Sequence, residues 1–461
     1  MKCSKDSLVF RAVLLIVAAI VCVLVPGIRP DATAASELDA PKAPAGPGQR
    51  ASAVAGPWSG GTAARSGGEE GSNARKPQTR PISPVINGNA VFRYPEGRYG
   101  GGELRYIKGV PVLIVRGSHR EIGEQIGRLA LKPAAQVVDL VGTYANQNIP
   151  KALRPLADAA VRSMYAKFPR EYREELETMA AAADVDLSVL VTANTIIDLY
   201  EMIGCSSLMV SSARSTTGGP LYSRNVDAPY VKGLAEFSLL IAYHPDGCHA
   251  FAMPNLPGFL MFSSGMNCRG LALGSHSVPA PLDRSERFDL AGESSAVAGR
   301  RLIEGCGTVD EVRNWLERHR LMRCVSIAAC DRDRQCVLEV TTKRVLSRSG
   351  KDGLCCATNH FRHDDLAGDE KCWRYDVLDG ARKKDRLGIE EVAAFMKATN
   401  QGKMTIHTMV FETSPLVIHL AMGPGPATDY ALTSIELSAL LGPRSTTVPS
   451  PRRQTIENPK P

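Results

Sequence analysis

The stretch EMIGCSSLMV, residues 201–210, places Cys205 directly after a glycine and in front of two serines and an apolar run. Before this stretch, apolar residues recur with the spacing of amphipathic helices. After it, the chain divides into short runs that are rich in β-branched residues and bounded by turn residues, which is typical of strands. Cys205 is therefore predicted to stand at the head of a strand, where a mainly helical region gives way to a mainly β region.

The secondary-structure pattern predicts an α+β fold. A strand-like run, ELRYIKGVPVLIVRGS at 103–118, opens the domain, and Ser118 with Glu121 predicts a capping box at the start of the first helix. Helical patterns cover most of 115–203. Beyond Cys205, many strands are grouped together and the helices are segregated from them, which favours layers in the order helix, sheet, sheet, helix.

Composition narrows the class of function. The chain has 461 residues, of which 44% are apolar, enough for a sizeable core. Its net charge of +7 comes largely from residues outside the predicted folded part, and no basic helix is present, so we expect no nucleic-acid partner. No Gly-rich nucleotide-binding motif follows a predicted strand, and we expect no cofactor.

The two ends of the chain read differently from its middle. Residues 1–34 carry Lys2, Lys5 and Arg11 around an uncharged apolar run that is short for a membrane span, which predicts a signal peptide. If it is retained, the segment would tether the protein to a membrane. Residues 35–90 are rich in Pro, Gly, Ala and Ser and predict a disordered linker, residues 91–442 a folded domain, and residues 443–461 a disordered tail.

Export follows from the predicted signal peptide. We expect a periplasmic or extracellular protein, or one anchored in a membrane and facing outward. The chain contains twelve cysteines, and exported proteins can keep disulfides. The sequence alone does not assign the pairs, the oligomeric state or the fate of the N-terminal segment.

The Gly-Cys step suggests a specific chemistry. A cysteine attacks as a thiolate, so it needs a base close by and donors for the oxyanion that it creates. No histidine neighbours Cys205 in the sequence. If the Gly204–Cys205 peptide is broken, however, Cys205 gains an α-amino group with a reference pKa of about 7.7 to 8.0, which suits a base. Gly204 fits this hypothesis because a residue without a Cβ lets its carbonyl approach the thiol.

The residues after Cys205 supply charges for such a centre. PLYSRNVD at 220–227 follows a Thr-Thr-Gly-Gly turn and predicts a hairpin that brings Arg224 and Asp227 back beside Cys205. An arginine there would favour the thiolate, and a carboxylate would orient an ammonium group. On these residues alone, a buried structural thiol is the competing interpretation.

Four short motifs, taken in order, carry a resemblance to a known family. The chain is similar to the penicillin acyltransferase (acyl-CoA:6-aminopenicillanic acid acyltransferase) family, cysteine enzymes of the N-terminal-nucleophile (Ntn) hydrolase superfamily that are related to choloylglycine hydrolases. The resemblance extends from about residue 104 to 432. Its motifs are Gly-Cys-Ser-Ser at 204–207, Ser-Arg-Asn-Val-Asp at 223–227, Gly-Met-Asn-Cys-Arg-Gly-Leu at 265–271 and Thr-Asn-His-Phe at 358–361.

The resemblance implies a four-layer αββα sandwich, self-cleavage between Gly204 and Cys205, and hydrolysis or acyl transfer on linear amides through a thioester at Cys205. It implies that Cys205 is both nucleophile and, through its new amine, base, and that Asp227 holds that amine. The implied partners are a small-molecule amide or acyl donor. The remaining residues carried over are Arg224 lining the site, Asn359 donating to the oxyanion and Arg374 orienting the nucleophile.

Two features depart from this pattern or compete with it. Where these proteins often carry Asn after the Gly-Leu-Ala strand, this chain has His276. Two alternatives stay open, that His276 replaces the Asn as a donor or that the pocket differs, but a lone histidine in a strand favours a structural residue. The cluster His360, His363, Asp364 and Asp365 has spacing too crowded for ligands to converge, so we expect no metal site.

Two other functions stay open at this point. One is an uncleaved, exported binding domain with the same fold and no turnover. The other is a papain-like protease, in which a histidine distant in sequence serves as the base and the chain stays whole.

Overall fold

The computed structural model describes residues 92–199, 204–279, 281–289 and 291–442. The predicted signal segment, linker and C-terminal tail lie outside these ranges. All described residues belong to one compact unit. Across them, every helix is too short or too polar to span a bilayer.

Sixteen strands are described. They are β1 (Gly97–Tyr99), β2 (Gly102–Ile107), β3 (Val110–Gly117), β4 (Gly204–Val210), β5 (Leu221–Asp227), β6 (Leu239–Pro245), β7 (Phe251–Asn255), β8 (Ser264–Asn267), β9 (Ala272–Ser277), β10 (Val325–Cys330), β11 (Gln335–Val340), β12 (Val345–Ser349), β13 (Leu354–Ala357), β14 (Thr405–Glu412), β15 (Val417–Met422) and β16 (Thr433–Glu436).

Ten α-helices accompany these strands within the described ranges. They are α1 (His119–Ile126), α2 (Gln136–Asn148), α3 (Arg154–Tyr165), α4 (Arg170–Ala183), α5 (Leu187–Leu199), α6 (Ser295–Gly305), α7 (Val309–Arg318), α8 (Trp373–Asp379), α9 (Ile389–Ala398) and α10 (Leu437–Leu441). The predicted capping box is present at α1, where Ser118 Oγ accepts from the Glu121 amide and the Glu121 carboxylate accepts from the Ser118 amide at 2.7 Å.

The strands form two sheets. The first has ten strands in the order β1-β2-β3-β6-β7-β8-β9-β10-β11-β12, and the second has six in the order β13-β4-β5-β14-β15-β16. Neighbouring strands are antiparallel except β3 and β6, which are parallel, as is usual when helices connect two strands. Between those two strands the chain forms the helices α1 to α5 and then β4 and β5 of the second sheet.

Three hydrophobic cores separate four layers. The first lies between the ten-stranded sheet and the helices α1 to α7, and the second lies between the two sheets. The third lies between the six-stranded sheet and the helices α8 and α9. The predicted α+β, four-layer αββα sandwich is therefore confirmed.

The alternation of side chains along β4 shows which face of the sheet Cys205 occupies. Leu208 and Val210 belong to the core on the helix side, whereas Met209 belongs to the core between the sheets. Because side chains alternate along a strand, Cys205 shares the inter-sheet face with Met209. The predicted hairpin is also confirmed, since Gly204 pairs with Asp227 and Cys205 with Val226 across β4 and β5.

The run ELRYIKGVPVLIVRGS forms two strands, not the one that its pattern predicts. Lys108 and Gly109 have φ values of 49° and 85°, and Ile107 pairs with Val110 across them. Positive φ at both central residues is the geometry of a tight two-residue hairpin turn. A lysine in the first of these positions is a weak turn signal, which is why the sequence pattern continues through the turn.

A buried ionic cluster joins the helices before Cys205 to those after it. The Arg300 side chain is fully buried and lies 2.8 Å from a Glu304 oxygen and 3.3 Å from a Glu175 oxygen. Its guanidinium also covers the Tyr243 ring, with 4.5 Å to the centroid. His119 Nδ1 lies 2.7 Å from the same Glu175 oxygen. Burial lowers the pKa of His119, but the Glu175 contact outweighs it and the net shift is upward.

We expect Arg300→Met to lower the free energy of unfolding by about 3 to 5 kcal/mol, because it leaves two buried carboxylates without their cation. Urea unfolding followed by circular dichroism measures this loss. The neighbouring variant Arg301→Met is the control, since Arg301 pairs with Glu293 nearer the surface, where an ion pair contributes about 0.2 to 1 kcal/mol. Equal losses in the two variants would contradict the assignment.

Candidate active site

The main chain of Cys205 is held on both sides by residues far away in sequence. Its amide donates to Asn359 Oδ1 at 2.8 Å, and its carbonyl accepts from Arg374 Nη1 at 2.7 Å. Arg374 Nη2 donates to the same Asn359 oxygen at 2.9 Å. Asn359 follows strand β13, which pairs with β4, and Arg374 lies in the first turn of α8. The pairing of β13 with β4 and the position of the first turn of α8 therefore fix the backbone at Cys205.

Arg224 lies against the sulfur. Its Nη2 is 2.9 Å from Cys205 Sγ and also donates to the Ser275 carbonyl. The Arg224 side chain is fully buried, yet no carboxylate of the described residues lies within ion-pair distance of it. A buried cation needs a compensating charge, so the sulfur is the group positioned to supply one as a thiolate.

Gly274 provides room for this arginine. A Cβ at position 274 would lie 2.9 Å from both Cδ and Nη1 of Arg224, and 1.9 Å from the Tyr222 hydroxyl oxygen. Any side chain on Gly274 would therefore displace the guanidinium from the sulfur.

His276, which the sequence analysis left as structural, contacts the site through Arg224. Its Nε2 lies 2.9 Å from Arg224 Nη1 and 3.0 Å from Ser207 Oγ, and its Nδ1 lies 3.3 Å from the Ser326 carbonyl. Burial, followed by the charge of Arg224, holds the pKa of His276 well below its usual range. The imidazole is therefore neutral, and with Nδ1 donating to the carbonyl its Nε2 accepts from the guanidinium.

Asp227 is fully buried beside the peptide that is predicted to be cut. It lies opposite Gly204 in the sheet. Its carboxylate accepts from Gln401 Nε2 at 2.7 Å and from Thr405 Oγ1 at 2.5 Å, and it lies 3.7 Å from Arg374 Nη1. Gln401 and Thr405 were not predicted from the sequence. Thr405 is the first residue of β14, which pairs with β5, and Gln401 lies just before that strand. No local sequence pattern indicates that either residue contacts Asp227.

The structure thus brings all five predicted site residues together. Arg224 contacts the Cys205 sulfur and Arg374 donates to the Cys205 carbonyl. Asp227, which was predicted to hold the new amine, accepts from Gln401 and Thr405 in this chain, and its role stays a prediction. Asn359 was predicted to donate to an oxyanion, but in this intact chain its Oδ1 accepts from Cys205 and Arg374, while its Nδ2 donates to the Ser277 carbonyl at 2.9 Å. Its oxyanion role stays a prediction and would require Nδ2 to leave that carbonyl.

Burial raises the pKa of the Cys205 thiol. Arg224 and Arg374 lower it and Asp227 raises it, but the net shift is upward. The thiol is therefore protonated at neutral pH in the intact chain. It needs a base to become a nucleophile, and no histidine nitrogen of the described residues bonds to its sulfur.

A second thiol, Cys372, has the opposite shift. Burial raises its pKa, but hydrogen bonds with His360 and Thr358 outweigh burial and lower the pKa to about 6. Cys372 immediately precedes α8 and follows Lys371, not a glycine. The two arginines, Asn359 and the Asp227 hairpin converge on Cys205 and not on Cys372.

Metal binding finds no support in the geometry. Among the residues that the structure describes, no group of three or more His, Cys, Asp or Glu side chains is arranged to hold a metal ion. The crowded cluster at 360–365 therefore does not form such a group.

Comparison with known proteins bears on the family. A family model described as acyl-coenzyme A:6-aminopenicillanic acid acyl-transferase matches residues 215–374. The resemblance predicted from the sequence is confirmed. The matched segment includes Arg224, Asp227, Asn359 and Arg374, and it begins after Cys205. This family supports an enzyme of the acyltransferase or amide-hydrolase class.

One curated relative is an uncharacterized protein of Archaeoglobus fulgidus, 22% identical over 327 residues, which are 58% of this chain and 53% of that protein. The chain thus spans about half the length of this relative.

Among solved structures, a mutant of the conjugated bile acid hydrolase of Clostridium perfringens has 13% identity and a TM-score of 0.39, covering 52% of this chain and 94% of the other. The N-acylethanolamine-hydrolyzing acid amidase ortholog of Caenorhabditis elegans has 9% identity and a TM-score of 0.37, covering 50% and 100%. Penicillin V acylase of Agrobacterium tumefaciens has 10% identity and a TM-score of 0.34, covering 51% and 86%. At these values the comparisons carry no inference about residues or substrates.

We expect Arg224→Met to slow the reaction of the Cys205 thiol without lowering the stability of the fold. Replacing a buried cation that lacks a carboxylate by an apolar side chain of similar size is neutral or stabilising, so the urea midpoint should equal or exceed that of the wild type. Alkylation of Cys205 by iodoacetamide, followed by peptide mapping at neutral pH, should slow because the thiolate loses its cation. A midpoint that falls as far as that of Arg300→Met would contradict this account of Arg224.

Proposed function

We propose that this protein is a self-processing cysteine amidohydrolase that acts on small-molecule amides through a thioester at Cys205. The observation that carries the proposal is the fully buried Arg224 guanidinium, which contacts Cys205 Sγ and has no carboxylate partner among the described residues. The class of enzyme agrees with the matched family.

The first proposed step is cleavage of the chain by its own thiol. Cys205 Sγ attacks the carbonyl carbon of Gly204, the C–N bond of that peptide breaks, and the sulfur proton passes to the departing nitrogen. Water then hydrolyses the thioester and releases the Gly204 carboxylate. Cys205 is left with a free thiol and a free α-amine.

The contacts of the intact chain suit the product of this step. The nitrogen that becomes the amine already donates to Asn359 Oδ1, and Asp227 lies next to Gly204 across the sheet. The new amine has a reference pKa of about 7.7 to 8.0, far closer to neutrality than the buried thiol. Part of the amine is therefore neutral near pH 7 and available as a general base, and the proton transfer from the thiol depends on Arg224 to stabilise the thiolate and on Asp227 to stabilise the ammonium.

Turnover follows the same chemistry on a substrate. The thiolate attacks the amide carbon, the α-ammonium returns a proton to the leaving amine, and the acyl group remains as a thioester on Cys205. Water, or a second amine, then takes the acyl group. We favour water, because no sequence or structural feature described above indicates a coenzyme A site.

The two fragments are expected to stay together after cleavage. Strand β3, from before the cut, pairs with β6, from after it, in the interior of the ten-stranded sheet. Arg300 and Glu175 add a buried ion pair between the same two parts.

Wild-type protein should therefore give two bands on denaturing electrophoresis and one peak on gel filtration. Sequencing of the mature N-termini should find one that begins at Cys205, and the other terminus reports whether residues 1–34 are removed. Cys205→Ala should stay a single chain, because it lacks the sulfur that cuts. An intact wild-type chain that turns over amides, or a Cys205→Ala chain that splits, would overturn the proposal.

Cys372 and His360 provide the test against a papain-like protease. If they are not the catalytic pair, Cys372→Ala and His360→Ala should keep both chain splitting and amide hydrolysis, measured by amine release. Loss of hydrolysis in both variants, with the chain whole, would instead support the Cys/His mechanism. Cys372→Ser is the matched control for packing at that position.

A further inference from the structure

Gln401 lies against the residue that precedes the nucleophile. A Cβ on Gly204 would stand 2.1 Å from Gln401 Nε2, far inside van der Waals contact, and 3.2 Å from Asp227 Cβ. Within the described residues, the space on this side of the peptide is thus filled by one amide side chain and one carboxylate.

Hydrogen bonds hold Gln401 in that place. Its Nε2 donates to Asp227 Oδ2 at 2.7 Å, and its backbone amide donates to Thr405 Oγ1 at 2.7 Å. Thr405 in turn donates to Asp227 Oδ1. Moving the Gln401 side chain away would remove a donor from a fully buried carboxylate, which costs more than an exposed hydrogen bond.

We propose that Gln401 is a positioning residue for self-cleavage, which holds the Asp227 carboxylate beside the Gly204–Cys205 peptide and restricts position 204 to glycine. The inference rests on the proposed self-cleavage and adds to it a residue outside every motif discussed above and outside the matched segment 215–374. Within the described residues, Gln401 makes no hydrogen bond to the Cys205 sulfur. It acts through Asp227 and through the shape of the site around Gly204.

This arrangement makes a specific prediction about pairs of substitutions. In Gly204→Ala the new methyl group displaces Gln401 from Asp227, so cleavage should slow by about a hundredfold or more. Gln401→Ala alone should slow cleavage by about tenfold, because it removes one hydrogen bond to a charged group. In the double variant the 2.1 Å collision with Nε2 is removed, and only the 3.2 Å approach to Asp227 remains. It should cleave at about the rate of Gln401→Ala, and therefore faster than Gly204→Ala.

The experiment follows the full chain by denaturing electrophoresis and intact mass after synthesis, with circular dichroism to verify folding of each variant. Asn400→Ala combined with Gly204→Ala is the matched control, because Asn400 is a neighbouring amide whose Nδ2 donates to the Lys397 carbonyl. This control should be as slow as Gly204→Ala. The rescue is a readout that general destabilisation would not produce, since a second destabilising change would slow cleavage further.

The outcomes distinguish a failure of the Gln401 role from a failure of the proposed self-cleavage. If wild-type chain splits but the double variant is no faster than Gly204→Ala, or if Gln401→Ala with its native Gly204 splits at the wild-type rate, the role of Gln401 is overturned and the proposed function stands. If Gly204→Ala fails to fold, the rate of Gln401→Ala alone decides. If wild-type chain does not split, both proposals fall together.

Discussion

The site depends on one buried guanidinium group. Arg224 is enclosed between the two sheets with Cys205 Sγ, a neutral His276 and a backbone carbonyl as its partners, and with no carboxylate in contact among the described residues. Charge burial of this kind is unfavourable unless a counter-charge forms. Ionisation of the sulfur would supply that counter-charge, so Arg224 lowers the pKa of Cys205, although burial outweighs it and the net shift is upward.

The arrangement around Cys205 divides its atoms among different parts of the fold. The sulfur contacts β5, the amide contacts the residue after β13, and the carbonyl contacts α8. The Asp227 carboxylate is held from the edge of β14. The strands β5, β13 and β14 belong to the six-stranded sheet and α8 packs against it, so the register of that sheet brings these contacts to Cys205.

Local sequence patterns predicted the parts of this site that depend on local structure. The strand beginning at Gly204, the hairpin to Asp227 and the capped helix at Ser118 all follow from periodicity and turn residues. The contacts that were missed join residues far apart. Gln401 and Asp227 are separated by 174 positions, and an isolated glutamine carries no pattern that reveals its partner. His276 was interpreted as structural because a lone histidine in a strand usually is, and only the packing of β9 in one sheet against the other sheet places it beside Arg224.

The parallel pairing of β3 with β6 has a consequence for how the protein unfolds and refolds. Before cleavage, the two strands are tethered in one polypeptide, and their association is unimolecular. If the peptide after Gly204 is cut as we propose, the same ten-stranded sheet is assembled from two polypeptides, and refolding becomes a second-order reaction whose yield depends on concentration. Maturation would thus convert a reversible folding reaction into one in which dilution alone can make unfolding permanent.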